Sequence, residues 1–379
     1  MKVLYITPCE DLSGANSSLL QLITELRDNH GVEPFVLYPK RAPSEQKTID
    51  DVLKERNIDG VACGRMVCFQ REHVSFIYKI YFILCEILNL LQVLYIIRGR
   101  KFDIIHTNSS ILDLGLYLSL IKRVPHVWHL REVAWLSFNF TSIFGTRYMR
   151  WLYNHSTKVI AVSKNVKKEF LDYIPQEKTE IIYNGVKLPT IKKFPDHGRG
   201  VYKICIVGRV EENKNQLEAL HAVKLLVAEG LFNFHLYVIG NHNTDYGSVA
   251  LQYVEDNNLE PYVDFMGVRN DVNELLQDMN IGLMLSKHEA FGRVTIEYMQ
   301  HKLFAIASNT SANVEIINDG ENGYLYEFGN PIMLKDKIKH ILSNKIDIQN
   351  IAERGYSDAV EKYTSIANSN NIMKIYKEL

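Results

Sequence analysis

Ser286-Lys-His-Glu-Ala-Phe-Gly-Arg-Val-Thr-Ile-Glu-Tyr-Met299 follows the apolar run Ile281–Leu285 and passes into an amphipathic pattern, so it reads as the strand end, loop and helix start of one α/β unit. Glu289 falls beyond the strand's carboxyl end, where ligands of open α/β sheets collect. Gly292 allows a ligand close to the backbone, and the amides that open the following helix favour an anion such as a pyrophosphate. Glu297 lies about one turn and a half further on. Carboxylates beside a phosphate site suit hydroxyl binding, because each oxygen accepts from a sugar or ribose OH. The alternative has Glu289 capping the helix and Glu297 as a solvated surface charge.

The same alternation of short β-branched runs and longer helical patterns extends in both directions, the mark of parallel sheets built from strand-helix-strand units. In the first half the strand candidates are Lys2–Thr7, Pro34–Tyr38, Ile104–Thr107, His126–Leu130, Lys158–Val162 and Glu180–Tyr183. Ser17–Asn29 between the first two reads as a helix, with Gly31 as its stop. A second series comprises Lys203–Val207, His235–Ile239, Val263–Met266, Ile281–Leu285 and Phe304–Ser308, with helical patterns between. The stretch between the two series, residues 188–200, holds two prolines and two glycines and no sustained periodicity, so it reads as an interdomain linker. Domains are expected at 1–187 and 201–360, with a terminal helix over 361–379 that returns to the first domain. A length of 379 residues also exceeds what one core usually organises, and favours a cleft between two facing domains.

Composition narrows the class. With 46% hydrophobic and 23% charged residues the chain is an ordered globular protein, and its net charge of −1 argues against broad nucleic-acid binding. Residues 1–187 carry 24 Lys and Arg against 19 Asp and Glu, and the remainder 19 against 25, a modest basic excess in the first half. Cys9, Cys63, Cys68, Cys85 and Cys205 form no CxxC pair, so neither a zinc site nor a disulfide framework is expected. A cytoplasmic location fits that usage and an amino terminus without a signal-peptide pattern. Asn139-Phe140-Thr141 is then a chance glycosylation match.

The apolar segment His73–Arg98 is interrupted by Lys79, Glu86, Asn89 and Gln92, and reads as too broken to span a bilayer. Two readings remain: a largely buried helix pair, or an amphipathic surface that docks on the inner face of a membrane through Arg98, Arg100 and Lys101.

A second polar cluster, Gly208-Arg209-Val-Glu-Glu-Asn-Lys214, leaves the first strand of the second series. Arg209 as a rigid fork and Lys214 as a flexible point charge are suited to clamp the two phosphates of a leaving nucleoside diphosphate, although a solvated loop would look similar. In the first half, Ser13-Gly14-Ala15-Asn16-Ser17 joins strand to helix with small residues, and His129 ends a strand on the same side. There is no GxGxxG after a strand, no GxxxxGK[ST] loop and no DxD pair, so a dehydrogenase, a kinase and a metal-dependent transferase lose ground.

Taken in order, the Gly14 loop, His129, Val162-Ser163, Tyr183-Asn184-Gly185-Val186, Gly208-Arg209 with Lys214, Glu289 through Glu297, and Glu315 with Asp319-Gly320-Glu321-Asn322-Gly323 resemble the retaining glycosyltransferase family four over nearly the whole chain. The resemblance implies an α/β GT-B fold of two Rossmann-like parallel-sheet domains. It implies transfer of a hexose or N-acetylhexosamine from a nucleotide sugar, UDP preferred, to a glycan hydroxyl, without metal or other cofactor. Catalytic roles would fall to His129, Arg209, Lys214 and Glu289. Gly14, Asn184, Phe291, Gly292, Arg293 and Glu297 would complete the donor site, Glu297 on the ribose. Ser13, Asn16, Asn108 and His129 would face the acceptor, for which a lipid-linked bacterial glycan is preferred. That preference leans on the basic first half, the Phe76–Ile97 stretch and the aromatics Trp135, Phe138, Phe140, Phe144 and Trp151.

The chain departs from the family at Ala290, at Lys302 and Phe304, and at Ser311-Ala312-Asn313, which are expected to line the donor sugar and to change its identity. A UDP-sugar 2-epimerase and a non-catalytic nucleotide-binding subunit share the architecture. The Glu289-to-Glu297 spacing speaks against the first, and the intact charged set against the second.

Overall fold

The computed structural model describes residues 1–12, 14–40, 47–64, 69–70, 75–133, 141–195, 200–343 and 347–379. Ser13, Cys68, His73, Trp135, Phe138, Asn139 and Phe140, all named above, lie outside the described residues. The chain divides into two units, Met1–Gly185 with Ser365–Leu379, and Val186–Thr364.

In the first unit the main sheet has strands β1 (Lys2–Ile6), β2 (Glu33–Pro39), β3 (Asp59–Cys63), β4 (Ile104–Thr107), β5 (His126–Leu130), β6 (Lys158–Ala161) and β7 (Thr179–Ile181), ordered β3-β2-β1-β4-β5-β6-β7 and all parallel, while Phe69–Gln70 and Thr141–Ser142 pair separately and antiparallel. Covering helices bury both faces, which is why β4 and β5 are buried at every position and β1 at all but Lys2, with no alternation between a core face and a solvent face. Helix α1 (Gly14–His30) turns Leu19, Leu22, Ile23 and Leu26 onto the sheet at helical spacing. The terminal helix starts at Ser365 rather than at 361, runs to Glu378, and places Ile372, Ile375 and Tyr376 in this unit's core.

The second unit repeats the pattern with β8 (Tyr202–Val207), β9 (Phe234–Ile239), β10 (Val263–Gly267), β11 (Ile281–Met284), β12 (Phe304–Ser308) and β13 (Tyr324–Tyr326), ordered β10-β9-β8-β11-β12-β13 and all parallel. Both sheets reverse direction beside their first strand, between β1 and β4 and between β8 and β11, and such switch points leave a crevice at the strands' carboxyl ends. In the two large sheets the strands missed in sequence, β3 and β13, are an edge strand opening on Asp59-Gly60 and a three-residue strand, too short for a period.

Two expectations need correction. The 188–200 linker is in part docked: Lys192 N donates to Gln277 Oε1 at 2.9 Å, and the Phe194 ring lies under the Lys302 ammonium, 4.0 Å away. The buried helix pair is instead one unbroken helix, α3 (Phe76–Ile96), with only Val93 fully buried. Ile77, Ile80, Tyr81, Leu84, Leu88, Leu91 and Tyr95 recur at helical spacing along its exposed side. Among the described residues, α3 alone is long and apolar enough, by length and composition, to cross a membrane. The polar residues that looked like interruptions cost a helix little, since Lys, Glu and Gln are good helix formers.

Candidate active site

In the second unit, β8 and β11 are neighbours at the switch point, so the loops that leave them lie together. Asn213 laces the two: its side chain donates to His288 O at 3.0 Å and accepts from His288 N at 3.0 Å, while Lys287 N donates to Asn213 O at 2.9 Å. That stitching brings Lys214 to Glu289, Nζ to Oε2 at 2.8 Å, with side chains only 23% and 18% exposed. Burial disfavours the Lys214 charge, but Glu289 outweighs it and holds the ammonium above its ordinary range. The second Glu289 oxygen accepts from Gly292 N at 3.4 Å, so Glu289 holds the turn that leads into the following helix, in addition to pairing with Lys214.

Helix α10 (Arg293–Gln300) starts from Gly292 in the left-handed conformation at φ 84°, with no side chain capping from that position. Arg293 Nε donates to Glu297 Oε1 at 2.9 Å, one turn along. Glu297 is therefore a half-buried partner and not the solvated charge of the alternative reading. Phe291 is buried edge-on against Tyr363. Arg209 differs from all of these: its side chain is 64% exposed and its Nε stays 3.9 Å from Glu211, so its guanidinium is available to an incoming anion. Two glycines set this geometry. A Cβ on Gly240, at φ 151°, would stand 2.0 Å from Gly208 O, and one on Gly282 would stand 2.3 Å from the Tyr298 ring. Tyr298 in turn accepts from Val207 N at 2.8 Å and fastens the end of β8.

The family departures are corrected here. Lys302 pairs with Glu353 at 2.6 Å and lies over Phe194 and Tyr356, and Phe304 is core, so both side chains are taken up by packing within the unit. Asn313 is fully buried and shares hydrogen bonds with Thr295 and Ser308.

In the first unit the predicted residues separate into two kinds. Asn16 is fully buried; it accepts from Thr7 and donates to Cys9 O and Asp11 O at 2.7 Å each. It holds the loop together and does not face an acceptor, because a short amide beside a tight loop is captured by the loop's own carbonyls. Gly14 opens α1 and is exposed. Asn108, His129 and Asn184 do gather, around a residue the sequence reading passed over. Arg131 donates through Nε to Asn108 Oδ1 at 2.7 Å and through Nη1 to Asn184 Oδ1. Asn184 thus gives its side-chain carbonyl to the first unit's own arginine. The available signal for Arg131 was its position two residues after His129, which in an extended chain means the same face.

His129 is itself fully buried rather than facing open space, with Nδ1 3.1 Å from His106 Nε2. His106 Nδ1 lies 2.7 Å from Tyr376 Oη, on the terminal helix. Burial, the Arg131 charge and the neighbouring histidine push His129 well below its usual range; burial, Arg131 and His126 do the same to His106. His126, also buried, is lowered by burial to about 3. Since these folded values lie below the unfolded value of about 6.5, their stabilisation is complete above that pH and is lost as pH falls toward 3. At pH 5, His126 alone should cost the first unit about 2 kcal/mol. Hydrogen exchange during acid titration should open β4 and β5 before β8 and β11, and the reverse order would refute this.

Two parallel α/β units, one carrying a cation-rich loop beside a helix amino terminus at its switch point, define the GT-B class of sugar-transferring enzymes. The group 1 glycosyl transferase model matches residues 189–358, and the glycosyltransferase family 4 model matches residues 12–188. The chain belongs to this family and is a glycosyltransferase. It is similar to an uncharacterized glycosyltransferase of Methanocaldococcus jannaschii, 28% identical over 75% of this chain and 78% of the relative. It is also similar to the Escherichia coli UDP-Gal:alpha-D-GlcNAc-diphosphoundecaprenol alpha-1,3-galactosyltransferase, 22% identical over 68% and 71%. Among solved structures, Anabaena HepE in complex with UDP superposes over 100% of both chains with a TM-score of 0.80 at 19% identity, a likeness of fold.

Proposed function

We propose that the protein is a retaining, metal-independent glycosyltransferase that moves a hexose or N-acetylhexosamine from a UDP-sugar to a hydroxyl of a growing glycan. The observation that carries this is the Lys214–Glu289 pair beside the exposed Arg209 and the uncapped start of α10. Arg209 and Lys214 supply the positive charge that a diphosphate leaving group needs, a role a metal fills elsewhere, and charge already in place lowers the barrier most when the leaving group becomes anionic. Glu289 is engaged by Lys214 and by Gly292 N, which suits a carboxylate that accepts from sugar hydroxyls and not one that attacks carbon. Attack from the leaving-group side then retains configuration. Glu297 is positioned for the ribose once Arg293 yields.

Uracil as the base is supported by the E. coli relative, whose donor is UDP-Gal, and by the UDP complex of HepE. A lipid-linked acceptor is supported by the diphosphoundecaprenol in the same relative's name. Peripheral contact from the cytoplasmic side is supported by the exposed apolar stripe of α3, at whose end the Arg98 guanidinium lies 4.0 Å over the Tyr95 ring. Replacing Leu84 and Leu88 together by Glu should abolish sedimentation with vesicles containing anionic lipid and leave UDP affinity unchanged; undiminished sedimentation would remove α3 from the contact.

The deciding experiment incubates the purified protein, in EDTA, with a panel of UDP- and GDP-sugars and follows products by mass spectrometry. Slow release of UDP from one donor is expected. A new UDP-sugar isomer without free UDP would replace transfer by epimerisation, and activity restored only by a divalent cation would end the metal-independent reading.

A further inference from the structure

In the first unit, helix α3, helix α4 (Leu114–Lys122) and helix α5 (Thr146–His155) border a cavity of about 240 Å³. Phe82, Ile83 and Ile87 of α3, Leu114 of α4 and Phe144 make most of its wall apolar. An apolar cavity of about 150 Å³ already takes a benzene, so this one has room for a chain of several carbons. Ile83 and Ile87 are also 43% and 49% exposed, so the cavity opens to the outside beside the uncovered stripe of α3.

Two carboxyl groups break that wall, Glu86 on α3 and Asp113 at the start of α4. An aspartate in that place ordinarily caps the helix with its side chain, and Asp113 does not. Asp113 is 2% exposed; Tyr148 Oη donates to its Oδ2 at 2.5 Å, and its Oδ1 has no hydrogen-bond partner. Burial and the Asp113 charge lift the Glu86 pKa to about 8, with Asn89 opposing, and burial raises Asp113 as well. Among the described residues that line the cavity there is no Lys or Arg to relieve them. A carboxylate oxygen stranded against apolar walls carries a cost that a ligand of the right chemistry removes.

Shape and charge together define that chemistry. The apolar wall takes carbon, and the two carboxyl groups take hydrogen-bond donors and positive charge. A phosphate or a carboxylate brings acceptors only, and a hydroxyl brings a single proton, whereas an ammonium brings three donors and the opposite charge. We propose that this cavity binds a primary ammonium carried on an apolar body, with the ammonium on Asp113 Oδ1 and within the field of Glu86, and the carbon chain along Phe82, Ile83 and Ile87. Tyr148 acts as a positioning residue, since by holding Oδ2 it leaves Oδ1 for the ligand. The site lies wholly in the first unit and is independent of the sugar-transfer reading, so either can fail alone.

The test is calorimetric titration of the full chain at pH 7 with hexylammonium, hexanol and hexanoate, which share a chain and differ in the head group. Hexylammonium should bind at least about 10-fold more tightly than hexanol, and hexanoate should not bind. No detectable binding of hexylammonium, or equal affinity for it and either of the others, overturns the proposal without any variant having to fold.

Because Glu86 is mostly protonated at pH 7 in the empty site, an arriving ammonium should drive its proton off, and the measured heat should change with the buffer's ionisation enthalpy. Raising the pH from 7 to 9 carries Glu86 through its pKa of about 8 while an alkylammonium stays charged, so affinity should rise about 10-fold and then level off. Glu86→Gln should remove most of the proton release and of that pH dependence; an unchanged release would take Glu86 out of the site. Asp113→Asn keeps an acceptor oxygen but no charge, so it should weaken hexylammonium at least about 10-fold and hexanol little. Equal losses for both would make Asp113 merely structural and overturn the proposal.

Discussion

Lys214→Ala is expected to bind UDP at least about 100-fold more weakly and to show no measurable sugar transfer, because one substitution removes a cation from the diphosphate and strands Glu289. The pair is close, 2.8 Å, and its members are about a fifth exposed, so Glu289 loses a real partner but keeps some water. Breaking a fully buried pair costs about 3–5 kcal/mol; partial exposure should bring the stability loss nearer to about 2 kcal/mol. Calorimetric titration with UDP and a thermal melt separate the two effects. Lys214→Arg should recover most of the stability and only part of the affinity, since a planar fork does not fill the place of a point charge. Unchanged UDP affinity in Lys214→Ala would take the phosphate site away from this loop.

Gly240→Ala should be the most damaging small substitution in the second unit, costing about 3 kcal/mol or more. Its added methyl would lie 2.0 Å from Gly208 O, backbone against backbone, at a φ of 151° that side chains rarely adopt. No rotamer change relieves that contact. The displaced segment is Gly208-Arg209, so UDP binding should fall with stability. Gly230→Ala is the control: φ is also positive there, 77°, but the methyl meets open space, and only the backbone strain of about 1 kcal/mol remains. Similar melting temperatures for the two variants would show that the close approach of the β8 and β9 ends does not constrain the unit.

Much of the candidate site was legible because its residues sit where local pattern and chemistry coincide. Glu289, Gly292, Arg293 and Glu297 follow a recognisable strand and open a recognisable helix, and Arg209 and Lys214 occupy the corresponding loop after β8. Asn16 misled because a small polar residue in a loop looks alike whether it serves a ligand or the loop. Lys302 and Phe304 misled because position in a motif was taken for position in space, whereas the chain turns them to Glu353 and to the core.

What the sequence determined by itself was the kind of element and its order. Parallel strands buried on both faces must be continuous apolar runs, and the helices between them must carry one apolar face, so the two repeating series can be read without coordinates. Pairings between distant residues were decided only by the tertiary structure. Nothing local in α3 says that its apolar side stays uncovered, because periodicity describes a face and not what packs on it. The chain Tyr5–Tyr376–His106–His129 joins residues up to 371 positions apart, and it exists only once the terminal helix has packed against the first sheet.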